Sequence, residues 1–357
     1  MNSRVTAEPP FRRARRGHGR PTLHDVARVA DVTRITVSRY LREPDLVADE
    51  TADRIRDAIA QTGYVPNRQA GQLASGASKM VAALIPNVGH SIFAETIQGL
   101  QEGLRNTGHE LLLASTDYSL EREEAQLHAL IGWSPGALIV TGRHHTPEAI
   151  RLLGDVQASG TPVIEIWDCS HDGELAQFCQ IGFDHDAVGR AMARHLVDQG
   201  HRTLAYVDSS VAEDYRAHER GEGFAAEARA AGARVTILRA AAGDVFDAGR
   251  QMLAKLRQRP NKPITAVAFA NDHLACGALM EARERGLVVP SELSVLGFGD
   301  FPLGRQMRPA LSTVRPPRAE IGRAAASALL RSISSGEDVV GEILPWTLIA
   351  RDSTRSK

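Results

Sequence analysis

The sequence predicts an α/β protein in which a small all-α headpiece precedes a two-lobed body of doubly wound parallel sheets. Three observations predict it. The chain has 357 residues, which at roughly 100–200 residues per domain implies two or three domains. Residues 22–62 read as three short amphipathic helices. From Met80 onward, short apolar runs alternate with stretches of helical periodicity, the pattern of a parallel sheet covered on both faces by helices. Hydrophobic residues make up 43% and charged residues 24%, which excludes wholesale disorder and collagen-like repeats. No apolar run reaches the roughly 18–20 residues of a membrane-spanning helix. The basic N-terminus has no apolar stretch behind it and so does not read as a secretory signal. Three cysteines, Cys169, Cys179 and Cys276, form neither a metal spacing nor a disulfide framework. These features lead us to expect a reducing, cytoplasmic setting, with no membrane partner, metal or cofactor.

Charge is distributed unevenly. Residues 1–20 hold Arg4, Arg12, Arg13, Arg15, Arg16 and Arg20 against Glu8, residues 21–79 balance, and the remainder is acidic, for a whole-chain charge of −1. A cationic head on an anionic body suggests a polyanion partner at one end. The first twenty residues alone read equally well as an unstructured basic tail.

In the head, Thr22-Leu23-His24-Asp25 is a capping box, with Asp25 placed near the positive end of the helix. Pro21 disfavours helix before it. Leu23, Val26, Ala27 and Ala30 then share one face. After a break at Asp31-Val32, Thr33 caps a second helix that stops near Pro44. A third runs from about Glu50 to Thr62, with Gly63 as its stop. Two short helices joined by a tight break and braced by a third form the helix-turn-helix layout. Such a motif lays its second helix in the DNA major groove with its first residues facing base edges. Those residues are Thr33, Arg34, Ile35 and Thr36, with Arg39 one turn on. Arginine offers two parallel donors to guanine, and Ile35 suits a thymine methyl. Spacing alone leaves a plain helical bundle with a solvated arginine face as an equal alternative.

The strings TLHDVARVADVTRITVSRYLREPDLV and GYVPNRQAGQLA resolve that choice, because they resemble the N-terminal module of the LacI/GalR family of bacterial transcription regulators. The resemblance continues along essentially the whole chain from residue 21. It implies a two-lobed body similar to periplasmic binding proteins, a double-stranded, pseudo-palindromic DNA operator, and a homodimer or a dimer of dimers. No leucine-heptad tail follows residues 349–353. Two positions depart from the family pattern. Asp31 stands where glycine is usual in the turn, and aspartate tolerates a left-handed backbone better than most residues. Ala48 stands where a hydroxyl cap is usual, so either Asp49 takes over or that helix end frays. The resemblance further implies that Asn67 and Arg68 open a short hinge segment that orders only when two subunits meet over DNA. Gly71 and its length make that segment unstable alone. Leu73 matches the side chain that wedges between base pairs in the minor groove. The expected organisation is therefore a basic tail over 1–20, a DNA-binding head over 21–65 and a hinge helix with linker over 66–79. The body follows over 80–357, with lobe 1 at about 80–178 plus 301–330 and lobe 2 at about 179–300 plus 331–357.

In open parallel sheets, ligands bind beyond the carboxyl ends of the strands. Reading those ends gives Ser91 and Phe93 after the first strand, and Arg143, His144 and His145 after the third. Trp167 and Asp168 close the fourth, and Phe183 and Asp184 open the second series. Aromatic faces stack on a sugar's C–H surface, while Asp and Arg take its hydroxyls and any acid group. Arg220, ahead of Gly223-Phe224, and Asn271-Asp272 match family positions that hold an effector; by residue type alone Asp272 reads equally as a helix cap. His144-His145 reads more readily as a solvent-exposed pair than as ligand contacts.

The stretches around residues 93–100, 141–150, 162–168 and 297–314 are similar to the gluconate-operon repressors within the family. They imply gluconate or a phosphorylated or keto derivative as the effector, and a carboxylate suits the cationic forks of Arg143 and Arg220. The alternatives are a regulator of another sugar or ketogluconate pathway, and a sugar-binding receptor that does not touch DNA. No Gly-x-Ser-x-Gly, P-loop, His-Glu-x-x-His or strand-linked Gly-x-Gly-x-x-Gly is present, so an enzyme is not expected.

Overall fold

The computed structural model describes residues 21–66, 78–89, 92–170, 176–258 and 263–354. The chain divides into two compact units, residues 1–77 and 78–357. The basic tail, and Asn67, Arg68, Leu73 and Ser91, lie outside the described residues.

The first unit contains α1 (Leu23–Val29), α2 (Arg34–Arg42), a 3-10 turn at Pro44–Leu46 and α3 (Asp49–Thr62). The Asp25 carboxylate closes the capping box, accepting from the Thr22 amide and hydroxyl, each at 2.8 Å. Asp31 adopts φ +51° in the turn, the left-handed conformation that aspartate tolerates. Arg54 from α3 donates to its carbonyl at 3.5 Å. The Thr33 hydroxyl caps α2 by accepting from the Thr36 amide at 3.2 Å. At Ala48 no side chain caps α3, which begins with Asp49 and Glu50 in its first turn and ends on Gly63 at φ +66°. Val26, Ala27, Ala30, Val37, Ile55 and Ala58 form the core, with Tyr40, Leu41 and Ile59 packed around it.

The second unit holds two six-stranded sheets. Its elements begin with β1 (Met80–Ile85), α4 (Ala94–Leu104), β2 (Glu110–Ser115), α5 (Leu120–Ile131), β3 (Ala137–Thr141), α6 (Pro147–Ala158), β4 (Val163–Ile166) and β5 (Cys179–Gly182). Next come α7 (His185–Asp198), β6 (Thr203–Asp208), α8 (Tyr215–Ala230), β7 (Arg234–Arg239), α9 (Val245–Arg257), β8 (Ala266–Phe269), α10 (Asp272–Glu284) and β9 (Ser294–Phe298). The chain closes with α11 (Pro302–Gln306), β10 (Ser312–Arg315), α12 (Arg318–Ser335), β11 (Glu342–Ile343) and β12 (Thr347–Ile349).

The first sheet has the order β11-β5-β4-β3-β1-β2 and the second β12-β10-β9-β8-β6-β7. All pairings are parallel except β10 with β12. Strands buried on both faces explain the continuous apolar runs. Val81, Ala83 and Ile85 of β1 join the core that includes Leu100 and Ile321 on one face, while Ala82 and Leu84 join Leu127 and Leu153 on the other. This is the period-2 alternation of a strand expressed in two cores.

The sheets correct the expected lobe boundaries. Cys179–Gly182 pairs with β4, with Ile164 opposite Cys179, so it belongs to the first lobe. The chain enters the second lobe only after it. Residues 312–315 pair with β9 in the second sheet, whereas α12 packs against α4 in the first lobe and β11 pairs with β5. The chain returns with β12 to the second sheet. Apolar periodicity marks a strand but not its neighbour, which is why these short pieces were misplaced. The three crossings form a hinge between the lobes.

Candidate functional site

In the head, α2 buries Val37 and turns Arg34, Ile35 and Arg39 outward. Ile35 is 72% exposed. The Thr33 and Thr36 hydroxyls bond each other at 2.9 Å, fixing the start of the helix. An uncovered isoleucine on a stripe with arginine has no packing role within this unit, and it suits the floor of a groove.

In the body, the carboxyl ends of both sheets meet at the cleft. Its lobe-1 wall is the β3–α6 loop, and its lobe-2 wall is the start of α8. Arg143 spreads its guanidinium across the gap. One nitrogen pairs with Asp168 of its own lobe, and Nη2 donates to Glu219 of the other lobe at 2.5 Å. The Tyr215 hydroxyl donates to Asp168 at 2.6 Å and accepts from the Arg143 amide at 2.8 Å. Burial holds that phenol well above its ordinary pKa of 10, so it stays protonated and donates. A Cβ at position 142 would lie 2.1 Å from the Tyr215 hydroxyl, so Gly142 is what allows the approach. The His144 ring meets Tyr215 edge-on with centroids 3.9 Å apart.

Tyr215 with Glu219, and Arg216 with Arg220, are i,i+4 pairs on adjacent stripes of α8. The first pair reaches Arg143 and Asp168, while the second pair is buried. Arg216 donates to Tyr215 at 3.2 Å and to the Thr141 carbonyl at 3.5 Å. Arg220 is 4% exposed. It donates to His185 Nδ1 at 2.9 Å and to the Ala270 carbonyl at 3.1 Å, and lies 3.9 Å over the Phe298 ring. Its Nε is buried without a partner, and no carboxylate among the described residues pairs with it. Burial, followed by the Arg220 charge, keeps the His185 pKa well below its ordinary 6.5. The ring is therefore neutral, and its Nε2 donates to the Trp167 carbonyl at 2.9 Å.

The other expected contacts are placed differently. Phe93, Trp167 and Phe183 are buried and pack edge-to-face, forming a floor rather than open stacking faces. Trp167 sits at φ +71°, and its indole donates to the Thr96 hydroxyl at 3.0 Å. Asn271 caps α10, accepting from the Leu274 amide at 3.0 Å. Asp272 accepts from the Phe301 amide at 2.8 Å and the Thr313 hydroxyl at 2.6 Å, so both of its oxygens are engaged. Burial pushes its pKa up to about 6. A cavity of about 30 Å³ lies between Leu84, Tyr118, Thr141 and His144 on one side and Glu213, Tyr215 and Arg216 on the other. That is room for about two waters.

Sequence reasoning missed Tyr215, Arg216 and Glu219. The readable signal was the double i,i+4 pattern of Tyr-Arg-Ala-His-Glu-Arg. It also misjudged His145, whose side chain is 1% exposed and lies between Glu123 at 2.7 Å and Glu165 at 3.4 Å. Burial lowers the imidazole's pKa, but the hydrogen bond to Glu123 and the pairing with both carboxylates outweigh it and raise the pKa to about 9. A folded-state value above the ordinary 6.5 stabilises the fold fully below pH 6.5 and loses that contribution as pH rises through about 9. We expect His145→Gln to abolish a fall in stability of up to about 3 kcal/mol over that interval, measured by urea unfolding. A parallel fall in the variant would refute the assignment.

Comparison with known proteins fits both units. Residues 22–67 match the model of bacterial regulatory proteins, lacI family, and residues 193–354 match the periplasmic binding protein-like domain. The chain is 39% identical over 341 residues to the HTH-type transcriptional regulator GntR of Pseudomonas aeruginosa, covering 94% of this chain and 96% of that protein. It is 31% identical to the HTH-type transcriptional regulator IdnR of Escherichia coli K12, covering 89% and 93% of the two. A LacI-family transcriptional regulator from Silicibacter pomeroyi superposes with a TM-score of 0.85 at 31% identity, over 94% of this chain and 100% of that one. With a helix-turn-helix head and a hinged two-lobed body, the chain belongs to the LacI family of bacterial regulatory proteins and is a DNA-binding transcriptional regulator.

Proposed function

We propose that the protein represses sugar-acid utilisation genes. It grips a pseudo-palindromic operator as a homodimer and leaves it when gluconate or a related sugar acid closes in the cleft. The observation that carries the ligand class is Arg220. A buried guanidinium without a carboxylate partner is costly, and an anionic ligand in the cleft supplies the missing charge. Similarity to the GntR and IdnR regulators supports the same class. Arg34, Ile35 and Arg39 read base edges, with Thr33 and Thr36 holding the helix start. Arg143 and Arg220 receive the acid, Asn271 receives a hydroxyl, and Asp272, whose two oxygens are held within its own lobe, accepts a ligand hydroxyl by sharing them. Phe93, Trp167 and Phe183 form the apolar floor. Ligand and operator are then coupled through the relative position of the lobes.

A thermal-shift screen against gluconate, ketogluconates, phosphogluconates and neutral sugars tests the ligand class. Sugar acids at about 100 times their Kd are expected to stabilise the body by about 2.7 kcal/mol and neutral sugars not at all. Stabilisation by neutral sugars alone would contradict the reading.

A further inference from the structure

We propose that Glu219 is a specificity determinant, because in the closed cleft its carboxylate occupies the seat on Arg143 that a sugar acid's carboxylate takes. Ligand binding then exchanges one carboxylate for another. The inference rests on the sugar-acid reading of the cleft.

The two acids on Arg143 differ in kind. Asp168 is fully buried, belongs to the same lobe as Arg143, and is held a second time by the Tyr215 hydroxyl. Glu219 comes from the opposite lobe, has a side chain 20% exposed, and has Arg143 as its only partner among the described residues. Burial, followed by the nearness of Asp168, raises its pKa. When the lobes part, Asp168 stays paired with Arg143 within lobe 1, while the contacts made from α8, Tyr215 to Asp168 and Glu219 to Arg143, break together. What becomes available is one edge of a planar fork shaped for two carboxylate oxygens. It faces a cleft already flanked by His144 and Tyr215. A neutral polyol cannot replace a charge-assisted pair, so it does not compete for that edge. An acid can compete, but only by displacing Glu219.

The test is calorimetric titration of the full-length protein and its Glu219→Gln variant with gluconate and with glucitol, the neutral polyol of equal chain length. Amide exchange is measured alongside over residues 142–146 in the absence of either. Glu219→Gln is expected to bind gluconate about 10-fold tighter, equivalent to about 1.4 kcal/mol, with no gain for glucitol and with faster exchange in the β3–α6 loop. Unchanged or weaker gluconate binding overturns the proposal, because Glu219 would then be idle or would itself hold the ligand. An equal gain for glucitol also overturns it, since that reports easier opening rather than a vacated seat. If neither protein binds gluconate, the sugar-acid reading fails instead. The bridge is still judged by exchange, where unchanged protection in the variant overturns it.

Discussion

Replacing Arg220 with leucine is expected to give a regulator that still binds its operator but no longer releases it for any sugar acid. The guanidinium is 4% exposed and touches His185, the Ala270 carbonyl and the Phe298 ring, yet its Nε is unpartnered and no carboxylate among the described residues neutralises it. Removing a group that binds an anion in a dry site costs about 2–5 kcal/mol of binding, so gluconate affinity should fall by at least about 30-fold. Stability should change little. Leucine removes an unpaired buried charge, which offsets the cost of about 1–3 kcal/mol for leaving His185 Nδ1 and the Ala270 carbonyl without their donor. The paired outcome, a lost calorimetric response with an unfolding midpoint as high as wild type, separates a binding role from a structural one. Lysine should not rescue, because a point charge replaces a planar fork that serves His185 and Ala270 at once. Normal induction of either variant in a reporter strain would remove Arg220 from the site.

The second large effect is expected at Asp300, which is not itself a proposed ligand contact. Its side chain is fully buried at φ +53° and accepts from Arg305 at 2.8 Å, Arg315 at 2.6 Å and Arg351 at 2.5 Å. Burial raises the carboxyl's pKa, but hydrogen bonds from Arg351, Arg315 and Arg305 outweigh it, and the net shift is downward. These arginines come from α11, the end of β10 and the stretch after β12, so one carboxylate ties together three segments of the second lobe. Asp300→Ala leaves Arg351, 17% exposed, without its counter-charge, and puts alanine in a left-handed backbone. Breaking a buried pair in this way costs about 3–5 kcal/mol. Arg305 and Arg315 are nearly half exposed and can turn to water, so about 2–4 kcal/mol is expected. Urea unfolding at pH 7 reads it directly, and a loss below about 1 kcal/mol would show that the arginines re-pair without Asp300. Because a depressed carboxyl pKa stabilises only while the group is charged, the wild type should lose this contribution as pH falls below 3.8. The variant should not.

What the sequence disclosed, and what it hid, follows the range of the interactions. Thr22, Thr33 and Gly63 mark helix ends because capping is settled within three or four residues, and each stands at the end it marked. The left-handed turn at Asp31 was likewise local. Strands were legible from apolar runs, but the partner of Cys179–Gly182 and the destinations of residues 312–315 and 342–343 were not. Pairing is decided by residues tens to hundreds of positions away. In the cleft, position and residue type pointed to Arg143 and the family resemblance to Arg220, while the partners that define their states could not be read from either. Glu219 and Asp168 on Arg143, and His185 on Arg220, sit 76, 25 and 35 residues distant in sequence. Trp167 and Phe183 show a further limit of reading position alone. An aromatic at a strand's carboxyl end suits ligand stacking by position, but here the rings pack on one another below the cleft.

The most direct measurement is fluorescence anisotropy of full-length protein on promoter fragments upstream of sugar-acid utilisation genes, titrated with and without saturating gluconate. The account predicts binding that prefers one pseudo-palindromic fragment and weakens steeply with salt as arginine-neutralised phosphates release counterions. Gluconate should reduce that affinity by about 10-fold or more, within the usual range of allosteric coupling. An unchanged Kd on that fragment, under conditions where calorimetry shows the cleft to be filled, would contradict it.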